Sequence, residues 1–308
     1  MTEGTPANIA AEADAAASEA AKEARAEVLE RAGKKSSKSK KSKSDISRVS
    51  ARASKSKDGW HKFVVDVWLT DLNSTEFGVY KRSRNRAKSR QFTSDMDIYA
   101  EVIENGERTG LIGFRKDLWK DNTGMNRRLV FKLFSDKLNW RATMDLMIGR
   151  SLQQTLGARG VPVMTYSINT NDDDYIIYLE RSAFKIPFIP EQFSFFMIND
   201  GKPEFFYLKR AWINVGGDYT IYNQKGNRIG WIDGKILSIA GKWRGAIKSE
   251  YASKKMLTTL KLFGGMIIFN RQARWHMSRL RKDIETGNVI PKLERQESDL
   301  YMNPRRVR

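Results

Sequence analysis

Between Lys81 and Arg90 the chain reads KRSRNRAKSR, six cations in ten residues with no acid. Lys81, Arg82, Arg84, Arg86, Lys88 and Arg90 are the strongest chemical signal in the sequence. Clustered guanidinium and ammonium groups make charge-assisted hydrogen bonds to phosphate, and Arg makes them bidentately. Near an anionic surface each basic residue contributes about 1 kcal/mol, so the set acts together even when salt screens it. The partners this chemistry takes are anionic lipid head groups or the phosphate backbone of nucleic acid; a solvated loop is the structural reading beside them. Lys209-Arg210 and Lys242 with Arg244 are weaker candidates, because alternating surroundings put them on outward strand positions.

Other reactive groupings are sparse. The two histidines, His61 and His276, stand in unrelated contexts, and a lone His serves structure more often than catalysis. GxSxG, GxxxxGK[ST], GxGxxG and HExxH are all missing. Asp172, Asp173 and Asp174 offer hard oxygen ligands, but three consecutive acids lack the alternating spacing of a calcium loop and read as a solvated turn. With no cysteine, disulfides, thiolate nucleophiles, Cys-based metal sites and palmitoyl anchors are excluded. The expectation is a non-enzymatic protein with no cofactor and no metal site.

The elements that must carry these residues show first in the charge balance. The 308 residues carry 55 Lys and Arg against 36 Asp and Glu, a net charge of +19 that favours anionic partners without choosing between them. Residues 8–32 are Ala-rich and helix-favouring, with few large apolar side chains to bury. GKKSSKSKKSKSDISRVSARASKSKDG follows, with ten basic and two acidic residues. Residues 1–58 therefore read as a disordered basic arm, either an interaction tail or a solvated tether. The N-terminus has no basic n-region and long apolar core of a signal peptide, and no apolar run reaches the length of a membrane span. A cytoplasmic or membrane-peripheral protein is expected.

Order is expected over residues 59–286, with a polar tail over 287–308. HKFVVDVWLT reads as a strand with Phe63, Val65 and Val67 on one face, and MDIYAEVIENGERTGLIGF as a hairpin turning at Asn105-Gly106. Leu138, Ala142, Leu146, Leu152 and Leu156 fit one face of a helix ending at Gly157. VPVMTYSINTNDDDYIIYLER is a further hairpin with its tip at 169–174. From Phe184 to Lys248 the chain then beats: Phe195, Tyr219 and Trp243 fall 24 residues apart, as do Leu208 and Ile232, and Trp212 and Ile236. Each beat is an alternating apolar run leading to an Asn, Asp or Gly turn, which predicts an antiparallel meander. Spaced in this way, Phe195, Tyr219 and Trp243 read as core residues, with base stacking as the nucleic-acid alternative. Met256–Arg281 is helical; Met256 to Asn270 is apolar on most sides apart from Lys261, which suits a helix buried in protein. The continuation RQARWHMSRLRK is amphipathic, with Trp275 and Leu280 against Arg271, Arg274, Arg279, Arg281 and Lys282.

The beats in FFYLKRAWINVGGDYTIYNQKGNRIGWIDGKILSIAGKWRGAIK, followed by that apolar helix, resemble the tubby-like superfamily in its LURP-one-related and phospholipid-scramblase branch. The resemblance covers about a third of the chain, Phe205 to Lys248 most clearly. It implies an α+β fold: an antiparallel β-barrel or strongly curved meander wrapped around a hydrophobic C-terminal helix, Met256 to Asn270, with one further helix on the flank. It also implies binding to anionic lipid. The acylated Cys cluster of the scramblase branch cannot exist here, and no stretch matches that branch's calcium segment.

Overall fold

The structure, a computed structural model, describes residues 59–67, 96–171, 175–183, 190–199, 201–211, 218–235 and 241–290. The arm over 1–58, the Lys81–Arg90 run, Asp172 to Asp174 and the tail from 291 lie outside the described residues.

Twelve strands form one closed antiparallel barrel. They are β1 (Trp60–Val67), β2 (Asp97–Glu104), β3 (Glu107–Phe114), β4 (Val130–Ser135), β5 (Trp140–Leu146) and β6 (Thr165–Thr170) in the first half. The second half is β7 (Ile177–Arg181), β8 (Gln192–Asn199), β9 (Lys202–Arg210), β10 (Tyr219–Asn223), β11 (Arg228–Lys235) and β12 (Lys242–Lys248). Each strand pairs with its neighbour in sequence, and β1 closes the ring on β12 from Trp60 opposite Lys248 to Asp66 opposite Lys242. Closure leaves no edge strand among the described residues, with the shortest seam between β7 and β8, paired at Glu180 and Arg181.

The beat of the sequence becomes two strands per repeat. Phe195, Tyr219 and Trp243 sit on β8, β10 and β12, Leu208 and Ile232 on β9 and β11, and all five are buried. Trp212 and Ile236 fall outside the described residues. Their partners on the alternate face turn outward: Phe196, Ile198 and Phe205 are 41%, 43% and 43% exposed. The predicted turn at Asn105-Gly106 forms with φ of 53° and 80°, the positive pair that a two-residue hairpin loop needs.

The barrel is filled by α3 (Lys254–Met266), which follows the short helices α1 (Lys116–Lys120) and α2 (Ile148–Gly157) in the chain. Ser253 caps α3 by accepting from the Met256 N–H, and thereafter the helix is buried on nearly every side. Phe263 meets Phe193 of β8 and Tyr219 of β10 edge-on, each at 5.1 Å between centroids. On the other sides Gly264 faces Val65 of β1 and Trp243 of β12, and Gly265 faces Ile112 of β3. The Tyr99 hydroxyl of β2 donates to the Gly265 carbonyl. Strands from all round the ring thus touch one rod, which is why its apolar residues show no single face.

The helix expected from Leu138 to Leu156 forms only in its second half. Leu138 is in a turn, Trp140–Leu146 is strand β5, and α2 starts at Ile148 and ends at Gly157 as expected. Leu138, Ala142 and Leu146 are four apart, a spacing that a helix and a strand both put on one side. Pairing of Ala142 to Asp145 with both β4 and β6 decides for the strand.

Beyond α3 a short 3-10 turn, Ile267–Phe269, leads into α4 (Asn270–Glu285). The Glu191 carboxylate fixes this corner. It accepts from Asn270 Nδ2 at 2.9 Å and from the Tyr219 hydroxyl at 2.7 Å, and it pairs closely with Arg181. Burial pushes the Glu191 carboxyl up, but the Arg181 charge and these hydrogen bonds outweigh it and hold the pKa below the ordinary range.

Candidate basic site at the helix-capped rim

The two rims of the barrel differ. At one, tight turns join β2 to β3 and β8 to β9, and α3 enters after β12. The other rim gathers the ends of β1, β3, β5, β7, β9 and β11 and carries the longer connections, including those with α1 and α2. There α4 crosses, after α3 has run the length of the interior.

Along α4 the side chains divide by helical spacing. Ala273, His276, Met277 and Leu280 are buried, whereas Arg271, Trp275, Arg279 and Lys282 are exposed. Intervals of four, four and three put the exposed set in one outward stripe of three cations and a tryptophan. Trp275 is 75% exposed, unusual for so large an apolar ring.

Beside this stripe lies a cavity of about 430 Å³ lined by Arg127, Gln272, Trp275, His276, Arg279 and Lys282 among others. Arg127 comes from the turn Gly124–Asn126 that leads to β4, and Trp119 of α1 holds it in place. Its guanidinium carbon stands 4.2 Å from the Trp119 ring centroid, and its Nε donates to the Trp119 carbonyl at 2.7 Å. Trp119 is itself buried, donates through Nε1 to Gln272 at 3.3 Å and meets the His276 ring edge-on at 5.6 Å. Burial, and then the Arg279 charge, lower the Arg127 pKa. Burial likewise brings His276 down to about 4, with Arg127 and Arg279 adding to it and Asp283 and the Gly124 carbonyl opposing. The imidazole is therefore neutral at pH 7, and its Nε2 has no hydrogen-bond partner among the described residues.

Of the residues expected to carry function, Lys81, Arg82, Arg84, Arg86, Lys88 and Arg90 are outside the described residues. The strand ends that flank them, Val67 and Asp97, both lie at the rim that α4 crosses. Lys209, Arg210 and Arg244 are exposed strand residues, and Lys242 pairs with Asp66 at 2.7 Å. Among the described residues no cluster of three or more His, Asp and Glu could hold a metal ion. No described helix is long and apolar enough to cross a membrane.

Sequence reasoning missed this site. The Arg-rich stretch RQARWHMSRLRK was legible as amphipathic, but with Trp275 on the apolar side beside Leu280, whereas Trp275 stands outward among the cations. Arg127 comes to it from about 150 residues upstream, so that only the fold joins them. Comparison of the chain with protein-family models, with curated proteins and with solved structures gave no match.

Proposed function

We propose that the chain is a non-enzymatic binding or scaffold protein, akin to the tubby-like superfamily, that associates with anionic lipid head groups. One observation carries this reading: the stripe of Arg271, Trp275, Arg279 and Lys282 along the outer side of α4. A helix presenting cations and an exposed Trp on one side has the chemistry of an interfacial helix, with the indole at head-group depth and the cations drawn to lipid phosphate. The Lys81–Arg90 run, in the segment between β1 and β2 and outside the described residues, has side chains of the same affinity for lipid phosphate. Kinship with the tubby-like barrels rests on a closed antiparallel barrel around a buried helix, and a fold alone does not assign function.

A nucleic-acid reading uses the same cations on a phosphate backbone. The aromatics that would have stacked bases, Phe195, Tyr219 and Trp243, are buried, which removes its strongest support.

Vesicle flotation and a gel shift, each run across a salt series, distinguish the two. Binding to phosphatidylcholine vesicles doped with phosphatidylglycerol, without a shift of random DNA or RNA, is the expected outcome. A shift of nucleic acid with no flotation overturns the proposal.

A further inference from the structure

We infer that the cavity between Arg127 and α4 is a binding site for the phosphate group of a phosphomonoester. This deepens the lipid reading, and rests on it only in sharing Arg279 and Lys282 with the stripe described above.

The cavity brings cations together with few counter-charges. Arg127 spends its Nε on the Trp119 carbonyl and one face on the Trp119 ring, which leaves both Nη groups without a protein partner among the described residues. Arg279 has only a 3.9 Å contact with Asp283, and Lys282 makes no ion pair among the described residues. Arg127 and Arg279 are close enough for one charge to oppose the other, a repulsion that a bound anion relieves.

The shape of the site favours a phosphate ester over a bare ion. A volume of about 430 Å³ lies within the range of small-molecule sites and exceeds what one phosphate fills, so a carrier fits beside it. Trp275 offers a ring face at the edge, and the His276 ring, only 8% exposed, forms part of the wall. The Gln272 side-chain oxygen is taken by Trp119, which leaves its amide NH₂ as a further donor.

Charge decides between ester classes. A monoester carries close to two negative charges at pH 7 on three terminal oxygens; a diester carries one charge on two. With Arg127, Arg279 and Lys282 converging, the dianion gains more in Coulomb attraction and fills more donors.

Two arms test this on the full chain. Calorimetric titration with ribose 5-phosphate, against ribose and inorganic phosphate, reads the free ligand. Flotation on phosphatidylcholine vesicles carrying either phosphatidic acid, a monoester, or phosphatidylglycerol, a diester, reads the membrane-borne one. The inference expects ribose 5-phosphate to bind at least tenfold more tightly than ribose, or phosphatidic acid to be preferred several-fold over phosphatidylglycerol. In Arg279→Gln and Lys282→Gln, both surface changes, that binding falls about tenfold. The absence of both soluble binding and a preference for phosphatidic acid overturns it, and so does binding that both variants leave unchanged. Flotation on phosphatidylglycerol alone would then still support the lipid reading. Binding of ribose 5-phosphate without any flotation would keep the site and remove that reading instead.

Discussion

Lys261 Nζ of the central helix lies 3.0 Å from Glu104 Oε2 at the end of β2, and His61 Nε2 of β1 lies 2.7 Å from the other carboxylate oxygen. Past Lys254 and Lys255 of its first turn, the one charge of the rod is thus met at the barrel wall. Burial alone would push Glu104 up, but the hydrogen bond with His61, the Lys261 charge and the Thr109 hydroxyl bring its pKa to about 2.

Removing one partner strands the other in a poorly solvated place. Glu104→Gln should cost about 3 kcal/mol, because both side chains are only 13–14% exposed. The double variant Glu104→Gln with Lys261→Met should recover most of that loss. Denaturant midpoints of the two variants and the parent decide it; equal losses in single and double variant would show that the pair does not matter.

Acid should weaken the fold in two separate windows. His276 titrates near 4 in the fold against an ordinary 6.5, so the unfolded chain binds its proton first. Stability from this group is complete above about 6.5 and falls as pH drops toward 4, by up to about 3 kcal/mol. Glu104, titrating near 2 against 4.5, contributes stability that is lost only as pH falls from 4.5 toward 2. Unfolding measured from pH 7 to 3 should show His276→Leu flattening the upper window alone.

Glu191 determines where α4 starts, and Glu191→Gln should loosen that corner by leaving Arg181 without its counter-charge. A loss of about 3 kcal/mol is expected. Amide hydrogen exchange should speed up in α4 more than in β2 and β3; uniform acceleration would mean that the carboxylate holds the barrel rather than the corner.

Phe63 of β1 lies across Gly245 of β12, where an added Cβ would meet the Phe63 ring at 2.2–2.7 Å. Gly245→Ala should therefore cost about 1–3 kcal/mol by overpacking. In a Phe63→Leu background the same change should cost clearly less, and a double-mutant cycle by thermal unfolding measures the coupling.

Adjacent residues of β9 separate inside from outside. Phe206 is fully buried against Phe195 and Tyr251, so Phe206→Ala should cost about 3–5 kcal/mol. Phe205, 43% exposed, should lose no more than about 1 kcal/mol on the same truncation. Comparable losses at both would place the strand in the wrong register.

Much of the barrel was legible because a strand buried on one side must alternate, and a repeat of alternating runs can only make neighbouring antiparallel strands. β1, the β2–β3 hairpin and the strands carrying Phe195, Tyr219 and Trp243 follow from that rule. β5 did not, because Leu138, Ala142 and Leu146 satisfy two periods at once and hydrogen bonding to β4 and β6 settles the matter. The basic stripe of α4 was visible as amphipathic spacing, whereas its depth as a site was not.

From its own residues, then, the chain determined the pattern of inside and outside, the position of the tight turns, the buried rod and the excess of positive charge. These are local properties, set by which side of an extended or helical segment must leave water. The tertiary structure decided which polar groups meet: Glu104 with Lys261, Glu191 with Asn270, and Arg127 with Arg279 and Lys282. Such meetings join residues far apart in sequence, and no period or composition records them, because barrel closure and the turn after α3 alone bring them together.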